Sequence, residues 1–124
     1  DKNKSNSAKM LIKRFVGSDL PIIFAADTNL KPKTDGYKNL LNHFDDSYDL
    51  SKKITFVKNS DTNKDDSCNL EKGKVFPSCR VDHIFLSNKH NWEVSNWAID
   101  QFKYGKKNRF NSDHRALYAD IEFK

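Results

Sequence analysis

Hydrophobic positions along this chain fall in short runs, and the spacing inside the runs switches between helical and extended periods. In AKMLIKRFV, residues 8–16, Met10, Leu11, Arg14 and Phe15 recur at helical spacing, and Gly17-Ser18-Asp19 supplies a stop. LPIIFAA, residues 20–26, is a continuous apolar run that predicts a strand buried on both faces. GYKNLLNHF, residues 36–44, sets Tyr37, Leu40, Leu41 and Phe44 on one stripe, with Thr34-Asp35-Gly36 as the cap region of a second helix. KITFV predicts a short strand, and RVDHIFLS, residues 80–87, a strand with Asp82 and His83 embedded in it. NWEVSNWAID alternates in part, with Trp92, Val94 and Ala98 toward one side. In RALYADIEF, Leu117, Ala119, Ile121 and Phe123 oppose Ala116, Tyr118, Asp120 and Glu122, the pattern of an edge or half-exposed strand. Residues 58–74 read as a long polar loop. Helix, strand, helix and then several strands predict a mixed α/β layered fold without internal repeats.

Composition narrows the class. The 124 residues are 36% hydrophobic and 31% charged, which fits one domain or part of one. Nine Phe, four Tyr and two Trp are enough aromatic bulk for a packed core. The longest apolar run, Pro21–Ala26, has six residues and cannot span a bilayer. The opening DKNKSNSAK has neither an initiator Met nor a signal-like segment, so the chain is expected to begin inside a longer protein. A formal charge of +5 suits an anionic partner such as nucleic acid or a phospholipid surface, or simply a soluble Lys-rich exterior. Cys68 and Cys79 make no disulfide framework and no zinc spacing. They read as free thiols of an intracellular protein, nuclear or cytoplasmic.

Three polar triplets sit where predicted strands end or pass: Asp27-Thr28-Asn29, Arg80-Val81-Asp82 and Ser112-Asp113-His114. Such groups can converge at one edge of a sheet to build a site. Asp27 and Asn29 are two apart and project to one side of an extended chain, where a carboxylate and an amide can hold a water and bind an anionic oxygen. The same pair can instead form an Asx turn leading into Pro32. Asp82, within a strand of Val, Ile, Phe and Leu, costs several kcal/mol to bury unpaired, so it needs Arg80 or a histidine elsewhere as partner. Asp113 and His114 are adjacent and point apart, which suits one for a metal and the other for substrate, or both for a hydrophilic turn.

The ordered segments IIFAADTN, CRVDHIFLS and NSDHRALYADIEF resemble the endonuclease/exonuclease/phosphatase superfamily, the DNase I-like hydrolases. That family carries Gly-Asp-x-Asn at a strand end, Arg-hydrophobic-Asp-(Tyr/His)-Ile in a later strand, and Ser-Asp-His before the last strand. Ala26 stands here where the family has Gly. Thr28, Leu30, Lys31 and Arg109-Phe110 ahead of Ser-Asp-His are similar to the tyrosyl-DNA phosphodiesterase 2 subfamily, although Arg115 stands where that subfamily has Trp. The resemblance implies half of a four-layer αββα sandwich. Specifically, residues 1–124 would be the C-terminal half of a domain whose upstream half brings the main metal-binding Glu.

By the same resemblance the reaction is Mg²⁺- or Mn²⁺-dependent hydrolysis of a phosphodiester, releasing 5′-phosphotyrosyl adducts of the topoisomerase type from DNA during repair. Asp27 would orient or deprotonate the attacking water, Asn29 would bind the phosphoryl oxygens, and His114 would contact the phosphate. Asp82 would hold His114, and Asp113 would ligate the metal. Lys31, Lys106, Lys107 and Arg109 would meet DNA phosphates, while Phe110 and Leu30 would wall the substrate channel. The alternatives are another hydrolase of the superfamily (a nuclease, a sphingomyelinase-like enzyme or a phosphoinositide phosphatase) and a catalytically dead binding module. A lipid enzyme calls for an apolar protruding hairpin, and the polar residues 58–74 are a poor candidate for one.

Overall fold

A computed structural model describes residues 2–57, 80–100, 102–107, 109, 112 and 114–124. The elements run α1 (Lys2–Phe15), β1 (Ile23–Asp27), α2 (Asp35–Leu41), β2 (Phe44–Asp46), α3 (Ser47–Leu50), β3 (Ile54–Val57), β4 (Asp82–Ser87), β5 (Trp92–Asp100) and β6 (Leu117–Phe123). They build two three-stranded sheets, one ordered β1-β4-β2 and the other β3-β5-β6. The first is antiparallel throughout, with Asp27 opposite Asp82 and Ala25 opposite Ile84. In the second, β3 runs parallel to β5, and β6 antiparallel to it. The result is the mixed α/β layered fold that the order of helical and extended patterns predicts, built on two sheets. Among the described residues no helix is long and apolar enough to cross a membrane.

The core lies between the two longer helices and one face of the first sheet. Ala8 of α1, Tyr37 and Leu40 of α2, Leu30 of the loop between them, Phe44 of β2 and Phe85 of β4 form one buried cluster. Phe24 stacks on Phe85 at 6.0 Å between centroids, and Phe44 packs at an angle to both. Large rings of this kind each bury enough area to dominate the stability of a small domain. Residues at the alternate positions of β1 and β4, among them Ala25, Asp27, Asp82 and Ile84, face the opposite way, toward the second sheet.

Several expectations from the hydrophobic pattern shift once packing is seen. Helix α1 starts at Lys2 rather than at residue 8, and it buries Ala8 with Leu11 and Ile12 beside the core. Met10 is 76% exposed and Phe15 lies at the surface, so neither is core. Strand β1 is not buried on both faces: its exposure alternates, and Ile23 is 55% exposed. Among the described residues β1 pairs only with β4, so it forms an edge of its sheet. Helix α2 ends at Leu41 with Asn42 as its C-cap, and Phe44 belongs to β2 instead of the helical stripe. Thr34 is the N-cap, its side chain accepting from the Tyr37 amide. In β5 a register shift between Val94 and Asn96 breaks the alternation, and beyond it Trp97, Ala98 and Ile99 are buried in succession, as in a central strand covered on both faces. Strand β6 keeps its predicted alternation from Leu117 to Ile121, but Phe123, expected on the inward side, is 53% exposed. The polar loop 58–74 and both cysteines lie outside the described residues.

Candidate active site

Strands β1 and β4 end side by side, and the pairing of Asp27 with Asp82 sets two carboxylates at the same edge of the sheet. The segment preceding β6 delivers His114 to them. Its Nδ1 lies 2.8 Å from Asp82 Oδ2, and its Nε2 lies 3.9 Å from Asp27 Oδ2. The first separation is a hydrogen bond, with the carboxylate accepting, while the second is too long for one. Ser112 fixes the approach, since its Oγ accepts from the His114 amide at 3.0 Å. All three site side chains are partly open to solvent. They border a cleft of about 480 Å³ between the sheets, lined further by Ile84, Phe102, Tyr104, Arg115 and Leu117.

Asp27 is also braced from its own strand end. Asn29 donates to it twice, from its backbone amide to Oδ1 at 2.9 Å and from Nδ2 to Oδ2 at 3.1 Å. Asn29 has φ of 51°, a left-handed conformation that asparagine tolerates better than most residues. Of the two alternatives read from the sequence, the structure shows the Asx turn, with the Asn29 side-chain amide also bonded to the Asp27 carboxylate. The next residues are tied down as well. Thr28 Oγ1 donates to Val81 O at 3.0 Å and accepts from the Leu30 amide at 3.2 Å, which stitches the turn to the start of β4.

Asp82 does not pair with Arg80. Arg80 precedes β4, which begins at Asp82, so the strand does not hold the two on one face; Arg80 Nη2 instead bonds Asp46 Oδ2 at 2.9 Å, and its guanidinium stacks 3.8 Å from the Tyr48 ring centroid. Among the described residues the fully buried carboxylate is Asp46, 1% exposed, whereas Asp82 opens on the cleft. Tyr37 Oη donates to Asp46, and His83 Nδ1 lies 2.9 Å from the same carboxylate. Burial pushes the Asp46 carboxyl up, but the His83 hydrogen bond, the Arg80 charge and the Tyr48 amide outweigh it and hold it below the usual range. Burial, then Asp46, raises the Tyr37 phenol beyond any physiological range, so it remains a donor. Sequence reasoning overlooked Asp46, and it did not ask of His83 the partner question it asked of Asp82, although both interrupt the same apolar strand.

The remaining predicted site residues separate. Lys31, Lys106, Lys107 and Arg109 are exposed and do not line the cleft. Leu30 is 5% exposed and belongs to the core, and it does not line this cleft. Phe110 and Asp113 lie outside the described residues. Asp27, Asp82 and His114 offer three ligand atoms within 4.8 Å of one another, in number and kind a group that can hold a metal ion. A Mg²⁺ ion is commonly held by one or two carboxylates, with waters and substrate phosphates completing its shell, so Asp27 and Asp82 suit one, whereas the His114 nitrogen is not the oxygen donor such an ion favours.

Comparisons with solved structures give the same architecture. A mannosyl-6-phosphatase from Bacteroides thetaiotaomicron matches with a TM-score of 0.70 at 19% identity, over 99% of this chain and 47% of its own. An endonuclease/exonuclease/phosphatase family protein from the same organism matches with 0.72 at 22% identity, over 99% of this chain and 44% of its own. A further protein described by that family name, from Leptotrichia buccalis, matches with 0.58 at 22% identity, over 96% and 42%. The chain has the fold of one half of these proteins. It spans less than half the length of each. No protein-family model and no curated protein matches it.

Proposed function

We propose that this chain is the C-terminal half of a metal-dependent phosphodiesterase domain, acting on DNA that carries a 5′-phosphotyrosyl adduct, in the nucleus or cytoplasm. The observation that carries the proposal is the convergence of Asp27, Asp82 and His114, from three separate segments, at the mouth of one cleft. The superfamily fold supports hydrolysis of a phosphate ester, and the Thr28 and Arg109 resemblances support the tyrosyl-DNA substrate.

In this reading Asp27 takes the proton of the attacking water, and Asn29 holds the carboxylate in place. Asn29 Nδ2 has two hydrogens; one is spent on Asp27 and the other serves a phosphoryl oxygen as charge builds there. His114 donates Nδ1–H to Asp82, which fixes the ring so that Nε2 is turned to the Asp27 side, where the phosphate would lie. Asp113, by the resemblance, would hold a Mg²⁺ or Mn²⁺ ion, which would supply Lewis-acid polarisation of a phosphoryl oxygen. Exposed Lys31 and Arg109 would meet backbone phosphates, which makes binding weaken as salt rises.

The test offers the protein, together with the upstream half of the domain, four substrates: a 5′-phosphotyrosyl oligonucleotide, an abasic duplex, sphingomyelin and mannose 6-phosphate. Each is run with Mg²⁺ and with EDTA. Cleavage of the first alone, abolished by EDTA and by Asp27→Asn, is the expected outcome. Cleavage of another substrate in its place overturns the tyrosyl-DNA assignment. Absence of any hydrolysis overturns the enzyme reading in favour of a binding module.

A further inference from the structure

His83 is buried between two acceptors on opposite sides of its ring. Nδ1 lies 2.9 Å from Asp46 Oδ2, and Nε2 lies 2.9 Å from the backbone oxygen of Leu30, 53 residues away in sequence. A carbonyl oxygen only accepts, so Nε2 donates there. The ring is further clamped by Phe85, stacked at 5.1 Å, and by Tyr37 at 5.2 Å. Leu30 in turn is held at every group it has. Its amide donates to Thr28 Oγ1, its side chain sits in the core, and its methyls fill the space left by the absent Cβ of Gly36. It directly follows Asn29, the residue that makes both hydrogen bonds to Asp27.

We infer that His83 is a positioning residue of the site: through the Leu30 carbonyl it fixes the left-handed turn at Asn29 and thereby the orientation of Asp27. The chain of contacts runs from Asp46 through His83 and Leu30 to Asn29 and Asp27, with hydrogen bonds or a peptide link at each step. Because His83 Nε2 anchors a backbone atom, its loss leaves a buried carbonyl unsatisfied next to a turn that already has an uncommon φ. The turn would then sample other conformations while the rest of β4 stays paired. The inference rests on reading Asp27 and Asn29 as the catalytic pair, but the turn itself can be followed without any substrate.

The experiment compares amide hydrogen exchange in the chain with that in His83→Asn, which is too short to reach Leu30, and His83→Gln, whose amide N–H can stand near Nε2. In His83→Asn, exchange at Asn29 and Leu30 should rise about tenfold or more relative to Phe85 and Leu86, the cost of one lost buried hydrogen bond. His83→Gln should restore most of the protection. A parallel rise at all four amides, or no rise at any, overturns the inference, since a purely structural histidine acts on the whole sheet. Should His83→Asn fail to fold, the unsubstituted chain decides: a slowly exchanging Nε2 proton is expected, and a rapidly exchanging one overturns the inference. Intact protection of Asn29 in a protein that hydrolyses nothing would refute the proposed function and leave the positioning role standing.

Discussion

His114 Nδ1 and Asp82 Oδ2 stand 2.8 Å apart across 32 residues of sequence, joining the centre of one sheet to the segment that enters the last strand of the other. The pair orients the ring rather than holding the fold together, because both side chains are partly solvent-exposed. Asp82→Asn should therefore change stability by no more than about 1 kcal/mol. Hydrolysis should fall about 10²- to 10⁴-fold, the usual worth of a correctly oriented general acid or base. Paired melting curves and initial rates test this; a large loss of stability with little loss of rate would assign Asp82 to the fold instead.

Thr28 lies between the two residues of the Asp27–Asn29 pair, and its hydroxyl is spent on backbone: it donates to Val81 O and accepts from the Leu30 amide. By resemblance Thr28 points to the substrate, yet its observed work is to fasten the turn to β4. Thr28→Val keeps the shape and removes both hydrogen bonds. It should cost about 1–3 kcal/mol and leave the ratio of rates on phosphotyrosyl and other phosphodiesters unchanged. A shift in that ratio at unchanged stability would return Thr28 to a substrate-reading role.

The candidate site was more legible in the sequence than the packing behind it. Asp27, Asp82 and His114 could be found because each breaks an apolar run or ends a strand, and because their motifs keep order along the chain. Asp46 and His83 escaped for physical reasons. Strand β2 has three residues, too few for a period-two pattern to emerge, and Phe44 happened to complete a helical stripe with Tyr37 and Leu40. Asp46 stands between Asp45 and, three residues on, Asp49, with no local pattern to mark it as the buried one. Only the tertiary pairing of β2 with β4 shows that Asp46 turns inward to meet Arg80 and His83. Burial of a charge depends on partners supplied by remote segments, and local pattern carries no record of them.

Gly36 marks the contact between α1, α2 and the turn. A Cβ built there would come within 2.7 Å of Leu30 Cδ2 and 3.4 Å of Ser5 Cα, so the Leu30 side chain would have to move. Alanine is favoured over glycine in a helix by about 1 kcal/mol, against about 1–3 kcal/mol for forcing a packed side chain off its rotamer. Gly36→Ala should be mildly destabilising, by about 1 kcal/mol, and Leu30→Ala in the same chain should erase the clash while adding a cavity cost of its own. A double-mutant cycle on thermal unfolding tests the coupling; strictly additive effects would show that Leu30 does not depend on the space at Gly36.

Two neighbouring carboxylates should drive stability in opposite directions with pH. Asp46 is held below its ordinary range in the folded protein, since the His83 hydrogen bond, the Arg80 charge and the Tyr48 amide outweigh burial. Its contribution is complete above the unfolded value near about 3.9 and is lost as pH falls through the lower folded value. Asp49 is raised, first by burial and then by the charge of Asp46. The folded state there binds its proton more tightly than the unfolded chain, so ionisation costs stability as pH rises. Asp46→Asn should lose about 3–5 kcal/mol at pH 7 by stranding Arg80 and His83, and should flatten the acid limb of the stability curve. Asp49→Asn should instead be more stable than the parent at pH 7, with the gain vanishing in acid. Urea unfolding between about pH 2 and pH 7 measures both. An acid limb of unchanged slope in Asp46→Asn would show that another carboxylate carries it, and the buried cluster of Asp46, Arg80 and His83 would then hold its charges without governing acid unfolding.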